Sequence, residues 1–155
     1  MKKFILAIMI VALFAMTGAA FAASVSNNIQ VQASVVDACR ITTPATNFDF
    51  GSYDPTDPAD DTNGTSSISY KCTRNTTYWY YISRTNTMSS GSNSLTYQLY
   101  TDAGWTIPWD TAKTGLGTVS PNNGNQTLDI YGKITAQQNV PAGNYSENVI
   151  VTIEY

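Results

Sequence analysis

The stretch that decides the fold is Ser146-Glu147-Asn148-Val149-Ile150-Val151-Thr152-Ile153-Glu154-Tyr155, at the end of the chain. Val149, Val151, Ile153 and Tyr155 recur at every second position, the period that sends successive side chains to opposite faces of a β-strand. Edge strands are normally blunted by charge, proline or bulges. This one is among the most apolar in the chain and runs to the last residue, so nothing after it is expected to pair with it. Near the start, Ile29, Val31, Ala33 and Val35 alternate with Gln30, Gln32 and Ser34, behind a Ser/Asn-rich lead-in. The chain thus reads as short of a strand at one end and offering one at the other.

The same period recurs between these ends. Ile68, Tyr70 and Cys72 alternate with Ser69 and Lys71; Leu95, Tyr97 and Leu99 alternate with Thr96 and Gln98; Leu128, Ile130, Gly132 and Ile134 form a further set. Tyr78, Tyr80 and Ile82 stand opposite Trp79, Tyr81 and Ser83, a ribbon expected to be buried on both faces. β-Branched and aromatic residues dominate, as a pleated, half-buried surface favours. Turn clusters separate the runs: Asp54-Pro55 through Asn63-Gly64, Ser89 through Asn93, Pro121 through Asn125, and Pro141 through Asn144. No helical period stands out. Short strands at this spacing predict an all-β, antiparallel β-sandwich.

Composition narrows the function. Of 155 residues 12% are charged, there is no histidine, and the net charge is −3. Without imidazole there is no Ser-His-Asp or Cys-His relay and no His-ligated zinc, and without a basic field there is no expected nucleic-acid partner. Met1-Lys2-Lys3, the apolar run Phe4 to Met16 and the small-residue site Ala20-Phe21-Ala22 read as a secretory signal peptide over residues 1–22. The apolar run is shorter than the roughly 20 residues a membrane-spanning helix needs. Export places Cys39 and Cys72, the only two cysteines, in an oxidising compartment, where a structural disulfide is the default.

Cys39-Arg40-Ile41, Phe50-Gly51-Ser52-Tyr53, Cys72 at a strand end, Tyr97 to Asp102, Trp109-Asp110, Ile130 to Ile134, Ala142 to Tyr145 and Val149 to Tyr155 stand out as a series. In order and spacing they resemble the spore coat protein U domain, a family that includes pilins of the archaic chaperone–usher pathway. The resemblance implies an incomplete immunoglobulin-like sandwich, completed by donor-strand exchange. It divides the chain into the signal peptide, a donor segment over 23–35 and a pilin domain over 36–155. Ile29, Val31, Ala33 and Val35 would be the donor side chains, with Val149, Val151 and Ile153 lining part of the acceptor groove. The implied partners are other pilin subunits, a periplasmic chaperone and an outer-membrane usher, with no cofactor and no small-molecule substrate. The implied product is a cell-surface fimbria for adhesion or biofilm formation, reached through the periplasm.

Two other readings stay open: a secreted spore-coat or matrix protein of the same fold, and a monomeric carbohydrate-binding domain presenting Trp105 and Trp109 as a surface aromatic contact. Core or loop packing is the commoner fate of such tryptophans. Asp54, Asp57, Asp60 and Asp61 offer oxygen ligands for calcium, but their spacing is not that of an EF-hand and an ordinary acidic turn fits them as well.

Overall fold

The computed structural model describes residues 23–155, so the expected signal peptide lies outside the described residues. Nine strands follow one another: β1 (Cys39–Thr43), β2 (Thr65–Cys72), β3 (Thr77–Ser83), β4 (Thr87–Ser90), β5 (Asn93–Thr96), β6 (Gln98–Tyr100), β7 (Thr118–Val119), β8 (Gln126–Lys133) and β9 (Ile150–Glu154). No helix occurs among the described residues. β1, β2, β8 and β6 form one antiparallel sheet in that order, β7, β3 and β9 a second, and β4 and β5 a hairpin.

Among the described residues this is the immunoglobulin arrangement with one place unfilled. A seven-stranded immunoglobulin domain sets strands A, B, E and D in one sheet and C, F and G in the other. Here β1, β2, β8 and β6 occupy A, B, E and D, and β3 and β9 occupy C and F. The seventh strand would lie beside β9, and among the described residues that side of β9 is an edge.

The alternation seen in the sequence becomes the core. On β2, Ile68, Tyr70 and Cys72 are buried; on β3, Tyr78 and Ile82; on β8, Ile130 and Gly132. Phe48 and Phe50 pack edge to face over Gly132, where any Cβ would meet their rings at 2.4 to 2.6 Å. Tyr70 and Tyr78 share a hydroxyl–hydroxyl hydrogen bond of 2.7 Å, and the Tyr78 hydroxyl also donates to Gln126 Oε1 at 3.0 Å. Burial pushes the Tyr70 hydroxyl pKa far above its ordinary value, and its bond to Tyr78 adds to the effect. Cys39 and Cys72 stand directly opposite each other on β1 and β2 and are bridged, their sulfurs 2.02 Å apart.

Three local expectations change. On the inner face of β3, Tyr78 and Ile82 are buried and Tyr80 partly so, but Trp79 and Tyr81 on the outer face are only half-covered. Lys113 lies over the Trp79 ring at 3.7 Å and also pairs with Glu154 at 2.7 Å, shielding that face without sealing it. The run Leu95 to Leu99 is two strands, because Tyr97 N–H leaves the ladder to donate to Asn86 O. Part of the Ser89–Asn93 turn cluster belongs to the β4–β5 hairpin, whose tip is Gly91 in the left-handed region, φ 61°.

Val35–Tyr155 form one compact unit. Residues 23–34 belong to the other and contain no strand; among the described residues of that segment every side chain is exposed.

Candidate strand-acceptor groove

The strand order gives the unit two poles. β2 and β9 run toward the disulfide pole, or base, where Cys39, Cys72 and the turn from Thr73 to Thr76 lie. β8 and β3 run back toward the opposite pole, or cap. There the loop from Tyr53 to Asp61 is tied to the end of β8: Asp61 N–H donates to Ile134 O, Ala136 N–H to the Asp60 carboxylate, and Tyr53 OH to Thr135 O.

β9 pairs only with β3 among the described residues, from Trp79 opposite Glu154 to Ser83 opposite Ile150. Residues directly opposite in an antiparallel pair share a face. Val151 stands beside Ile82, which is wholly buried, and Ile153 beside Tyr80, so both point inward. They are nevertheless only half-buried, and Val149, of the same parity, is 36% exposed. Across the mouth of the sandwich, Ile41 on β1 stands beside buried Tyr70 and is still 46% exposed. Two edge strands, one from each sheet, therefore leave core-facing apolar side chains wet between them. Toward the cap a cavity of about 500 Å³ opens between the chain continuing from β1 and the chain leading into β9, floored by Phe50, Leu95, Ile134 and Tyr145.

Glu147 fixes the entry to β9. Its carboxylate accepts hydrogen bonds from Thr85 N–H (2.5 Å), Thr85 Oγ1 (2.9 Å), Thr87 N–H (3.1 Å) and the Tyr97 hydroxyl (2.7 Å). Partial burial opposes the charge, but these bonds outweigh it and hold the carboxyl below its ordinary pKa. The nearby Arg84 is spent on Asn86 and on the carbonyls of Ile82 and Trp109.

Ile29, Val31 and Val35 are 83%, 89% and 83% exposed, and Ala33 is exposed as well. The expected surface aromatics do not pair up. Trp109 is buried against Tyr80 and cannot serve as a surface contact, while Trp105 is half-buried in a loop where Asp102 accepts from the N–H groups of Thr106 and Ile107. Of the four aspartates weighed for calcium, Asp54, Asp57 and Asp61 cap their own turns and Asp60 pairs with Lys133 at 2.7 Å. Among the described residues no group of three or more His, Cys, Asp or Glu side chains is placed to hold a metal ion. Sequence reasoning missed Ile41 and Glu147. A β-branched run after Cys39 was the available signal for the first; a lone acid entering an apolar strand was the signal for the second.

Fold and groove together define an all-β domain of immunoglobulin type whose β9 edge is open among the described residues. A family model, the Spore Coat Protein U domain, matches residues 25–152, and the chain belongs to that family. Protein U of Myxococcus xanthus is 30% identical over 161 aligned positions, covering 86% of this chain and 87% of that protein. Among solved structures, the fold is similar to a chain of the CsuC–CsuE chaperone–tip adhesion subunit pre-assembly complex from archaic chaperone–usher Csu pili of Acinetobacter baumannii. The TM-score is 0.51 and the identity 22%, over 79% of this chain and 41% of that one. This chain therefore spans about two fifths of the length of that solved chain.

Proposed function

We propose that the chain is a structural, non-enzymatic pilin subunit that polymerises by strand donation. Residues 23–35 of one copy fill the edge of β9 in the next. The observation that carries this reading is the pair of complementary features: inward apolar side chains only half-buried along β9, and a segment with no strand partner among the described residues, its apolar side chains at the same two-residue period. Burying Ile29, Val31 and Val35 would contribute roughly 5–8 kcal/mol at about 1.5–3 each, before ordering costs.

Strand direction favours donation between copies over self-closure. A completed sandwich needs a seventh strand antiparallel to β9, which runs cap to base. The leading segment joins β1 at the base, so folding back along its own β9 would set it running cap to base as well, in parallel. A segment from another copy is free to enter the other way.

In this reading the free subunit is guarded by a periplasmic chaperone, passed to an outer-membrane usher and built into a surface fibre for adhesion or biofilm formation. The resemblance to a chain crystallised in a chaperone complex of a pilus system supports it. A second reading, a secreted spore-coat or matrix protein of the same fold, is favoured by the relation to Protein U along most of that protein's length. Deleting residues 23–35 from the chain tests strand donation. Loss of polymer with the Cys39–Cys72-bridged subunit still recoverable supports it; normal polymer from the deletion refutes it.

A further inference from the structure

The two poles carry opposite charge. From Ile41 to Tyr70 there are five aspartates and no basic residue, and this stretch supplies the cap. Asp49, Asp54 and Asp57 are exposed there, while Asp60 pairs with Lys133. The base holds Arg40, Lys71 and Arg74 against two acids, Asp37, whose carboxylate accepts from Thr76 Oγ1, and Glu154 at the end of β9, which Lys113 neutralises. Among the described residues the other three basic side chains are already engaged: Lys113 with Glu154, Lys133 with Asp60, and Arg84 with Asn86 and two carbonyls.

One detail of the base is unfavourable in an isolated subunit. Arg40 and Lys71 stand directly opposite each other on β1 and β2, next to the disulfide. Like charges in that position destabilise a strand pair. An incoming anionic surface would turn that repulsion into attraction.

Strand direction says which surface arrives. A donor entering antiparallel to β9 runs base to cap, so its last residues leave the groove at the cap. The donor's own base, where its β1 starts, is then brought against the recipient's cap. We infer that consecutive copies of this chain dock base to cap, Arg40, Lys71 and Arg74 of one copy facing Asp49, Asp54 and Asp57 of the next. This contact lies outside the donor strand and rests on the strand-donation reading. It sets polarity and speeds encounter, because a base meeting a base, or a cap a cap, is repelled.

The test is the assembly rate of the full exported chain, followed by the appearance of polymer on unboiled gels. Raising salt from about 50 to 300 mM shortens the Debye length and is expected to slow wild-type assembly about tenfold. A base-reversed variant (Arg40→Glu, Lys71→Glu, Arg74→Glu) and a cap-reversed variant (Asp49→Lys, Asp54→Lys, Asp57→Lys) are each expected to assemble about tenfold or more slowly alone. Mixed together they should regain the wild-type rate, since every junction in an alternating polymer is complementary. Rates indifferent to salt, or a mixture no faster than either variant alone, overturn the proposal. If Val31→Asp still blocks wild-type polymer in that case, strand donation stands and only the charge docking fails. A wild-type chain that never polymerises overturns both.

Discussion

Val31→Asp probes strand donation where a small change has a large expected effect. In the isolated subunit Val31 is 89% exposed, so a carboxylate there costs the unassembled chain almost nothing. Under strand donation its parity would send it inward, toward the face that carries Val149, Val151 and Ile153 on β9 and its lead-in. The variant forfeits roughly 1.5–3 kcal/mol of apolar burial. It also buries a carboxylate with no cation nearby, since the inward neighbours of β9 are Ile82 and Tyr80. Even when the acid protonates to escape the charge, a further few kcal/mol is lost. A total of roughly 4–6 kcal/mol is three to four decades in the junction's equilibrium constant. The assay is the ladder of denaturant-resistant polymer on unboiled gels, with Gln30→Asp and Gln32→Asp as opposite-parity controls. The ladder should vanish for Val31→Asp and persist for the controls. An intact ladder in Val31→Asp, or loss in all three variants alike, would refute the assignment of the inward face.

Four further outcomes follow from the fold. Replacing both cysteines by Ala removes a bridge between residues 33 positions apart; thermal melting should show a loss of roughly 3–4 kcal/mol in the chain-entropy view. Gly132→Ala forces a Cβ into the rings of Phe48 and Phe50 and should cost about 1–3 kcal/mol by denaturant titration, whereas Gly91→Ala meets no neighbouring atom and acts only through its positive φ. Glu147 has a depressed folded pKa, so its contribution is fully present above the pKa of the unfolded chain and disappears as pH falls through the folded one. The melting difference between wild type and Glu147→Gln should therefore be large at neutral pH and shrink on acidification. Tyr70→Phe removes one hydroxyl of a buried pair, but Tyr78 keeps Gln126 as acceptor, so the loss should stay near 1 kcal/mol by the same melting measurement.

Period-two alternation made the inner strands legible. Ile68, Tyr70 and Cys72, or Ile130 and Gly132, are buried because one face of each sheet lies against the other sheet, and that demand is written into every second residue. The apolar run of β9 likewise marked a strand that is an edge among the described residues. What stayed hidden depends on tertiary context. β1 is short and paired at one edge only, so Arg40 and Thr43 face water and its pattern is diluted. β7 is two residues long and exists because Thr77 and Tyr78 offer it a ladder. Tyr97 breaks a run that reads as continuous, its N–H going to Asn86. The groove was half legible: Val149, Val151 and Ile153 were visible in the pattern, while Ile41 belongs to it only because β1 sits across the mouth from β9. Trp109 was offered with Trp105 as a surface aromatic contact, and its burial against Tyr80 in the core decided otherwise.

The most direct measurement is solid-state NMR on polymer assembled from equal amounts of ¹³C-labelled and ¹⁵N-labelled chains. Strand donation predicts cross-peaks joining residues 29–35 of one label to residues 149–153 of the other, with the amides of β9 protected from exchange. Contacts between those segments found only within chains of one label would mean that each copy closes its own sandwich, and would contradict the account.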